Sequence, residues 1–108
     1  EELLERFPDV DGIIACNDIV AISVYKTLHK RGIAVPEQIQ LIGFDDIHLS
    51  SLISPELTTI HQPITTMGRR AVEVILQEGT LPKEGRQQVF PVSLVPRETT
   101  RRKEKNTK

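Results

Sequence analysis

The chain has 108 residues, 27% of them charged and 38% hydrophobic, which suits one globular domain and is too short for two independent cores. No apolar run approaches the ~20 residues a membrane span needs. A lone cysteine, Cys16, excludes an internal disulfide and a cysteine-based zinc site, and His29, His48 and His61 lack metal-ligand spacing. The net charge of −1 hides an asymmetry, because residues 97–108 carry six Lys/Arg and two Asp/Glu, net +4, against −5 on residues 1–96. That segment has no apolar residue to fold around. It is expected to be a basic, disordered tail rather than a nucleic-acid arm, which would display its charge on a folded face.

In chain order, Glu1-Glu2-Leu3-Leu4-Glu5-Arg6 reads as the end of a helix already under way, so the chain is expected to be a fragment of a longer protein. Phe7 to Gly12 connects that helix to a short buried strand, Ile13 to Cys16. Asn17-Asp18 follows, and either side chain can cap a helix by accepting a bond from a first-turn N–H. Asp18 is the expected cap. Asn17 is left open between capping and ligand contact. The helix runs from Ile19 to Arg31 and ends at Gly32, with Lys30 and Arg31 at the negative end of its dipole. Its apolar residues spread well beyond the ~100° arc that covering a sheet requires. The surplus fits either a neighbouring element or a subunit interface.

Ala34-Val35-Pro36-Glu37 turns into a second strand, Ile39 to Phe44, completing a parallel strand–helix–strand unit. This apolar run stops abruptly at Asp45-Asp46. In an α/β sheet the carboxyl ends of the strands border the ligand crevice, and a carboxylate there can accept bonds from two hydroxyls. Neighbouring residues on an extended strand point to opposite faces, so one aspartate is expected to face the cleft and the other to cap the next turn. His48 to Ile53 is a short helix or turn stopped by Ser54-Pro55. Leu57 to His61 is a β-branched third strand, and Pro63 opens a helix in which Ile64, Met67, Ala71, Val74 and Ile75 share a face. Gly79 ends that helix, Leu81 to Arg86 is a loop, and Gln88 to Val95 is an edge strand interrupted by Pro91. The fold class is α/β throughout.

No Gly-x-Ser-x-Gly elbow, phosphate loop or Gly-x-Gly-x-x-Gly occurs. Nothing supports a triad of His48, Ser50 and Asp46, and Cys16 reads as a packed small hydrophobe. The residues point to binding rather than to an enzyme. An enzyme using Asp45 and Asp46 is the weakest of three readings.

Several stretches resemble the C-terminal half of the LacI/GalR family of bacterial transcription repressors. They are Asp11-Gly12-Ile13-Ile14-Ala15-Cys16-Asn17-Asp18, Val35-Pro36-Glu37 with Gln40-Leu41-Ile42-Gly43-Phe44-Asp45-Asp46, Ser54-Pro55-Glu56-Leu57-Thr58-Thr59-Ile60-His61-Gln62-Pro63, and Leu94-Val95-Pro96-Arg97-Glu98-Thr99. The resemblance covers roughly residues 5–100 in order and spacing. It implies a type I periplasmic-binding-protein-like fold, a three-layer αβα arrangement on a parallel sheet, that takes a small effector, a sugar above all, between two subdomains. Residues 1–96 would be the C-terminal part of the effector-binding domain, with the 63–78 helix belonging to the N-terminal subdomain.

Carried over by position, Asn17 and Asp45 match effector-binding positions, and Gln62 and Ile64 match crossover positions bordering the effector. Ile64 is aliphatic where some members carry an aromatic residue that stacks on a sugar. The helix over 19–30 and the segment 48–53 match the family's dimer interface, with Val20, Val24, Tyr25, Leu28, Leu49, Leu52 and Ile53 as its residues. The resemblance further implies a cytoplasmic homodimer without cofactor or metal, whose operator DNA is met only by an N-terminal helix-turn-helix outside this chain. A periplasmic sugar-binding protein of the same fold is the alternative. The Thr-Thr-Ile-His-Gln-Pro crossover and the Arg-Glu-Thr ending favour the repressor.

Overall fold

The computed structural model describes residues 1–77 and 87–102. Gly79, the Leu81–Arg86 loop and residues 103–108 of the expected tail lie outside the described residues. The elements are α1 (Glu2–Arg6), β1 (Gly12–Ile14), α2 (Asp18–Lys30), β2 (Gln40–Ile42), a 3₁₀ turn (His48–Ser51), β3 (Thr59–His61), α3 (Ile64–Leu76) and β4 (Ser93–Val95). They fall into two compact units, Glu1–His61 with the closing segment from Leu94, and Gln62–Ser93.

In the first unit β1 and β2 are parallel, in the register Gly12 to Gln40, Ile13 to Leu41 and Ile14 to Ile42. Single parallel bridges, Ile42 with Thr58 and Asp45 with His61, extend the pairing toward β3, which neighbours β4. The strands are shorter than expected. Asp45 and Asp46 take φ of +122° and +59°, a region that ends an extended strand and costs a non-glycine residue energy.

Both ends of α2 are closed, the first by Asn17 in place of the expected Asp18 and the second at Gly32 as expected. Asn17 Oδ1 accepts the Val20 N–H at 2.8 Å. At the other end Gly32, with φ +71°, lets its own N–H reach His29 O at 3.1 Å and the Ile33 N–H reach Leu28 O at 2.9 Å. The helix lays Ala21 and Leu28 onto the sheet, where Ala15, Ala21, Leu41 and Leu57 form the buried core, flanked by Ile13, Ile22, Val24, Tyr25, Val35 and Ile53.

The expected strand Ile13 to Cys16 is buried on one side only. Ile14 is 82% exposed and Cys16 is exposed, because alternate residues turn to the face away from α2. Cys16 is therefore not the packed small hydrophobe that was expected. The final strand is confined to Ser93–Val95, after Pro91, which has no N–H to contribute to a ladder.

The expected tail is corrected at its first residues. Thr99 is fully buried. Its backbone O accepts from Leu41 N at 2.9 Å, its hydroxyl donates to Leu41 O at 2.7 Å, and the same oxygen accepts from Thr58 N at 2.9 Å. Charge and the lack of apolar residues suggested a solvated terminus. Threonine hydroxyls and backbone groups supply the fixation instead.

In the second unit, α3 begins at Ile64 directly after Pro63 and presents Val72, Ile75 and Leu76 as exposed apolar residues. Arg70 pairs with Glu73 at 3.1 Å and donates to Gln88 at 3.0 Å.

Candidate functional site

The carboxyl ends of β1 and β2 bring their following residues to one end of the first unit. The Asp18 N–H donates to Phe44 O at 3.0 Å, which sets the Asn17-Asp18 corner beside the Asp45-Asp46 turn. Three consecutive amides of that turn are held. The Asp45 N–H donates to Ile60 O at 3.0 Å, the Asp46 N–H to Thr59 Oγ1 at 3.3 Å, and the Ile47 N–H to Asp18 Oδ2 at 2.9 Å.

Asp18 is the hub beneath this surface. It is buried, and besides the Ile47 amide it accepts the Ser50 hydroxyl at 2.6 Å on Oδ2 and the Thr59 hydroxyl at 2.6 Å on Oδ1. A buried carboxylate persists when donors satisfy it, and hydrogen bonds to an ionised group are the strong kind. Gly43 makes the room. A Cβ there would overlap Asp18 Oδ1 and lie 3.0 Å from Leu57 Cδ2.

Asp46 carries the second polar knot. Its Oδ1 accepts from Arg97 Nη2 at 2.6 Å and its Oδ2 lies 2.9 Å from His61 Nδ1. Arg97 also donates from Nη1 to Leu57 O at 3.0 Å, so one guanidinium spans the turn and the stretch that leads into β3. Burial alone would raise the Asp46 carboxyl, but the Arg97 and His61 hydrogen bonds and charges outweigh it and hold the group below its ordinary value. The stability this gives is complete above the unfolded aspartate value of about 4 and is lost as pH falls through the lower folded value. Asp46→Asn should therefore flatten the acid limb. Between about pH 5 and pH 2 the wild-type melting temperature is expected to fall further than the variant's, as differential scanning fluorimetry would show. Parallel curves would reject that role for Asp46.

Compared with the sequence reading, Asn17 is the cap of α2 and Asp18 is not. Asp46 caps nothing either. The residue that opens the 3₁₀ turn is Ile47, without a side-chain cap, and the Asp46 carboxylate goes to Arg97 and His61. Positive φ at both aspartates removed the strand geometry on which the two-face expectation rested. Ser50 is buried on Asp18, so His48, Ser50 and Asp46 form no triad. Asn17 and Asp45 stand at adjacent strand ends in the first unit. Gln62 and Ile64 belong to the second, where Gln62 O accepts the Ile64 N–H at 2.8 Å. Among the described residues, no group of three or more His, Cys, Asp or Glu is placed to hold a metal.

Arg97 and His61 were missed as site residues. Arg97 belongs to the expected tail by charge alone and to the Leu94–Thr99 stretch by resemblance, and the structure sides with the second. Of the residues expected at a dimer interface, Leu28 is only 1% exposed and sits in the unit's own core, so it has no surface left to offer a partner. Val24, Tyr25 and Ile53 are half-buried against that core, whereas Val20, Leu49 and Leu52 are exposed. Val20 and Val24 also line an apolar groove of about 280 Å³ between α1 and α2.

Residues 1–100 match the periplasmic binding protein-like domain family. The chain belongs to that family. Within it, the chain is akin to the effector-binding domain of LacI/GalR regulators. The ribose operon repressor of Bacillus subtilis is 41% identical over 107 residues, covering 96% of this chain and 32% of the repressor. A LacI family transcriptional regulator from Arthrobacter sp. FB24, solved in complex with lactose, superposes with a TM-score of 0.79 at 36% identity over 93% of this chain and 39% of that one. Another from Enterococcus faecium, solved with bound ribose, gives a TM-score of 0.76 at 30% identity over 92% and 38%. This periplasmic binding protein-like chain thus spans about a third of the length of these relatives. No helix among its described residues is long and apolar enough to cross a membrane.

Proposed function

We propose that this chain is the effector-sensing and dimerisation portion of a LacI/GalR-type transcriptional repressor whose effector is a sugar. The observation that carries the reading is the pairing of Asn17 and Asp45 at the carboxyl ends of neighbouring parallel strands, within a family whose relatives include regulators solved with lactose and with ribose. An aspartate carboxylate can accept from two vicinal hydroxyls of such a ligand. The relatives named above are regulators, which favours the repressor over a periplasmic sugar-binding protein.

On this reading the effector binds between two subdomains of the full-length protein, with Gln62 and Ile64 bordering it. Its preference for one subdomain orientation changes the affinity of a DNA-binding domain outside this chain. That coupling cannot exceed the effector's difference in affinity between the two states, about 1–3 kcal/mol in most systems. The protein acts as a cytoplasmic homodimer, uses no cofactor and turns nothing over. The partner surface is Val20, Leu49 and Leu52, with Val24, Tyr25 and Ile53 at its margin.

Asp45→Ala in the full-length protein tests the site. Sugar affinity, by calorimetry with D-ribose and lactose, is expected to fall about 30-fold or more, the cost of losing charge-assisted bonds of about 2 kcal/mol or above. A melting temperature followed alongside separates loss of the site from loss of the fold. Unchanged affinity would refute the assignment of Asp45.

A further inference from the structure

Asp45 and Asp46 both have positive φ, at +122° and +59°, and neither is glycine. Such a backbone persists only where its surroundings over-determine it. Amide bonds to Ile60 O, Thr59 Oγ1 and Asp18 Oδ2 hold the turn from below, but all of them hold main-chain atoms. The one described side-chain grip on the turn from the closing segment is the fork of Arg97, whose Nη2 holds Asp46 at 2.6 Å while Nη1 holds Leu57 O at 3.0 Å. Arg97 is itself anchored through its N–H, which donates to Thr58 Oγ1 at 2.8 Å. Its side chain is only 15% exposed, as is nearly true of Asp46 at 16%, so the pair is not a loose surface contact. His61 adds a second contact, from the exposed side.

We propose that Arg97 is a positioning residue for ligand recognition: it ties the closing segment to the Asp45-Asp46 turn and keeps that turn in the strained conformation that presents Asp45. The ligand role of Asp45 is taken from the function proposed above. The hold on the turn does not depend on it. The two donors of Arg97 serve two acceptors on different segments, the Asp46 turn and the stretch before β3, which a planar guanidinium can do and a lysine ammonium cannot do with the same reach.

The test uses this chain, labelled with ¹⁵N and ¹³C, as wild type and as Arg97→Gln, Arg97→Lys and Asp46→Ala. Asp46→Ala removes the acceptor while leaving Arg97 on Leu57 O, which covers the case in which Arg97→Gln fails to fold. The HN–Hα coupling constant and Cα shift of Asp45 report its φ directly. The positive-φ signature of Asp45 is expected to weaken in Arg97→Gln and Asp46→Ala, with Ala21 and Leu28 amide shifts unmoved, and Arg97→Lys should restore less than half of it. Wild-type values at Asp45 in Asp46→Ala would overturn the proposal, as would full restoration by lysine.

A second arm separates this from the ligand reading. In the full-length protein, Arg97→Gln should lower D-ribose or lactose affinity about tenfold. If the turn moves while affinity is unchanged in both Arg97→Gln and Asp45→Ala, the positioning role stands and the ligand assignment falls. If affinity drops in Asp45→Ala only, with the turn fixed in every variant, the ligand assignment stands and Arg97 has no positioning role.

Discussion

Asp18→Ala is expected to lower the stability of the first unit by about 3–5 kcal/mol, among the largest effects a single substitution produces. Three donors converge on this carboxylate, the Ile47 amide and the Ser50 and Thr59 hydroxyls, and Asp18, Ser50 and Thr59 are all fully or almost fully buried. Truncation to alanine leaves those donors without an acceptor and without water. Each orphaned group costs about 1–3 kcal/mol, so three of them set the lower end of the range, and partial relaxation keeps single substitutions near its upper end. Asp18→Asn should fall between, since one side-chain oxygen remains and a hydroxyl can rotate to accept from the new amide. Urea denaturation measures the difference, with a midpoint lower by roughly 2–3 M if the slope is near the usual value for a small domain. Coincident midpoints would show that the three donors find other partners.

Ending the chain at Pro96 is expected to abolish cooperative folding of the first unit. A solvated tail could be removed without consequence, so the two readings of this segment predict opposite results. The structure places Thr99 across both β2 and the residue just before β3, through Leu41 N, Leu41 O and Thr58 N. Glu98 and Thr99 N–H groups both reach Glu56 O, at 2.9 and 3.1 Å, and Glu98 Oε1 accepts the Glu56 N–H at 3.0 Å. Removing the segment strips partners from buried backbone groups of Leu41 and Thr58 and takes Arg97 from Asp46. At about 1–3 kcal/mol per orphaned group the sum exceeds the few kcal/mol by which a small domain is stable. Circular dichroism with a thermal ramp distinguishes a two-state melt from a gradual slope. Thr99→Val, which keeps the shape and loses only the hydroxyl, isolates one contribution and should cost about 2 kcal/mol. A cooperative melt of the truncated chain at the wild-type temperature would contradict the role assigned to this segment.

Local chemistry was legible in the residues. The glycine stop at Gly32, the β1–α2–β2 unit and the helix after Pro63 each rest on a few neighbouring side chains, and each is where the pattern put it, whereas the cap fell to Asn17 and not to the expected Asp18. Asn17 and Asp45 at adjacent strand ends follow from the same reasoning, because a strand that stops at polar residues delivers them to one edge of the sheet. What the pattern could not carry was pairing over distance. Asp18 and Thr59 are 41 positions apart and Arg97 and Asp46 are 51 apart, and nothing local distinguishes Asp18 from an ordinary cap or Arg97 from an ordinary basic tail.

The sequence by itself determined the α/β class, the order of the elements and the polar strand ends, because helix periodicity, caps and turn residues are written in short windows. Only the tertiary structure decided that Asp18 is a buried hub, that Leu28 is core and not interface, and that Arg97 and Thr99 close the first unit. The physical reason is the same in each case. Whether a polar or apolar side chain is satisfied depends on the groups that the fold packs around it, and those groups come from parts of the chain that no local window contains.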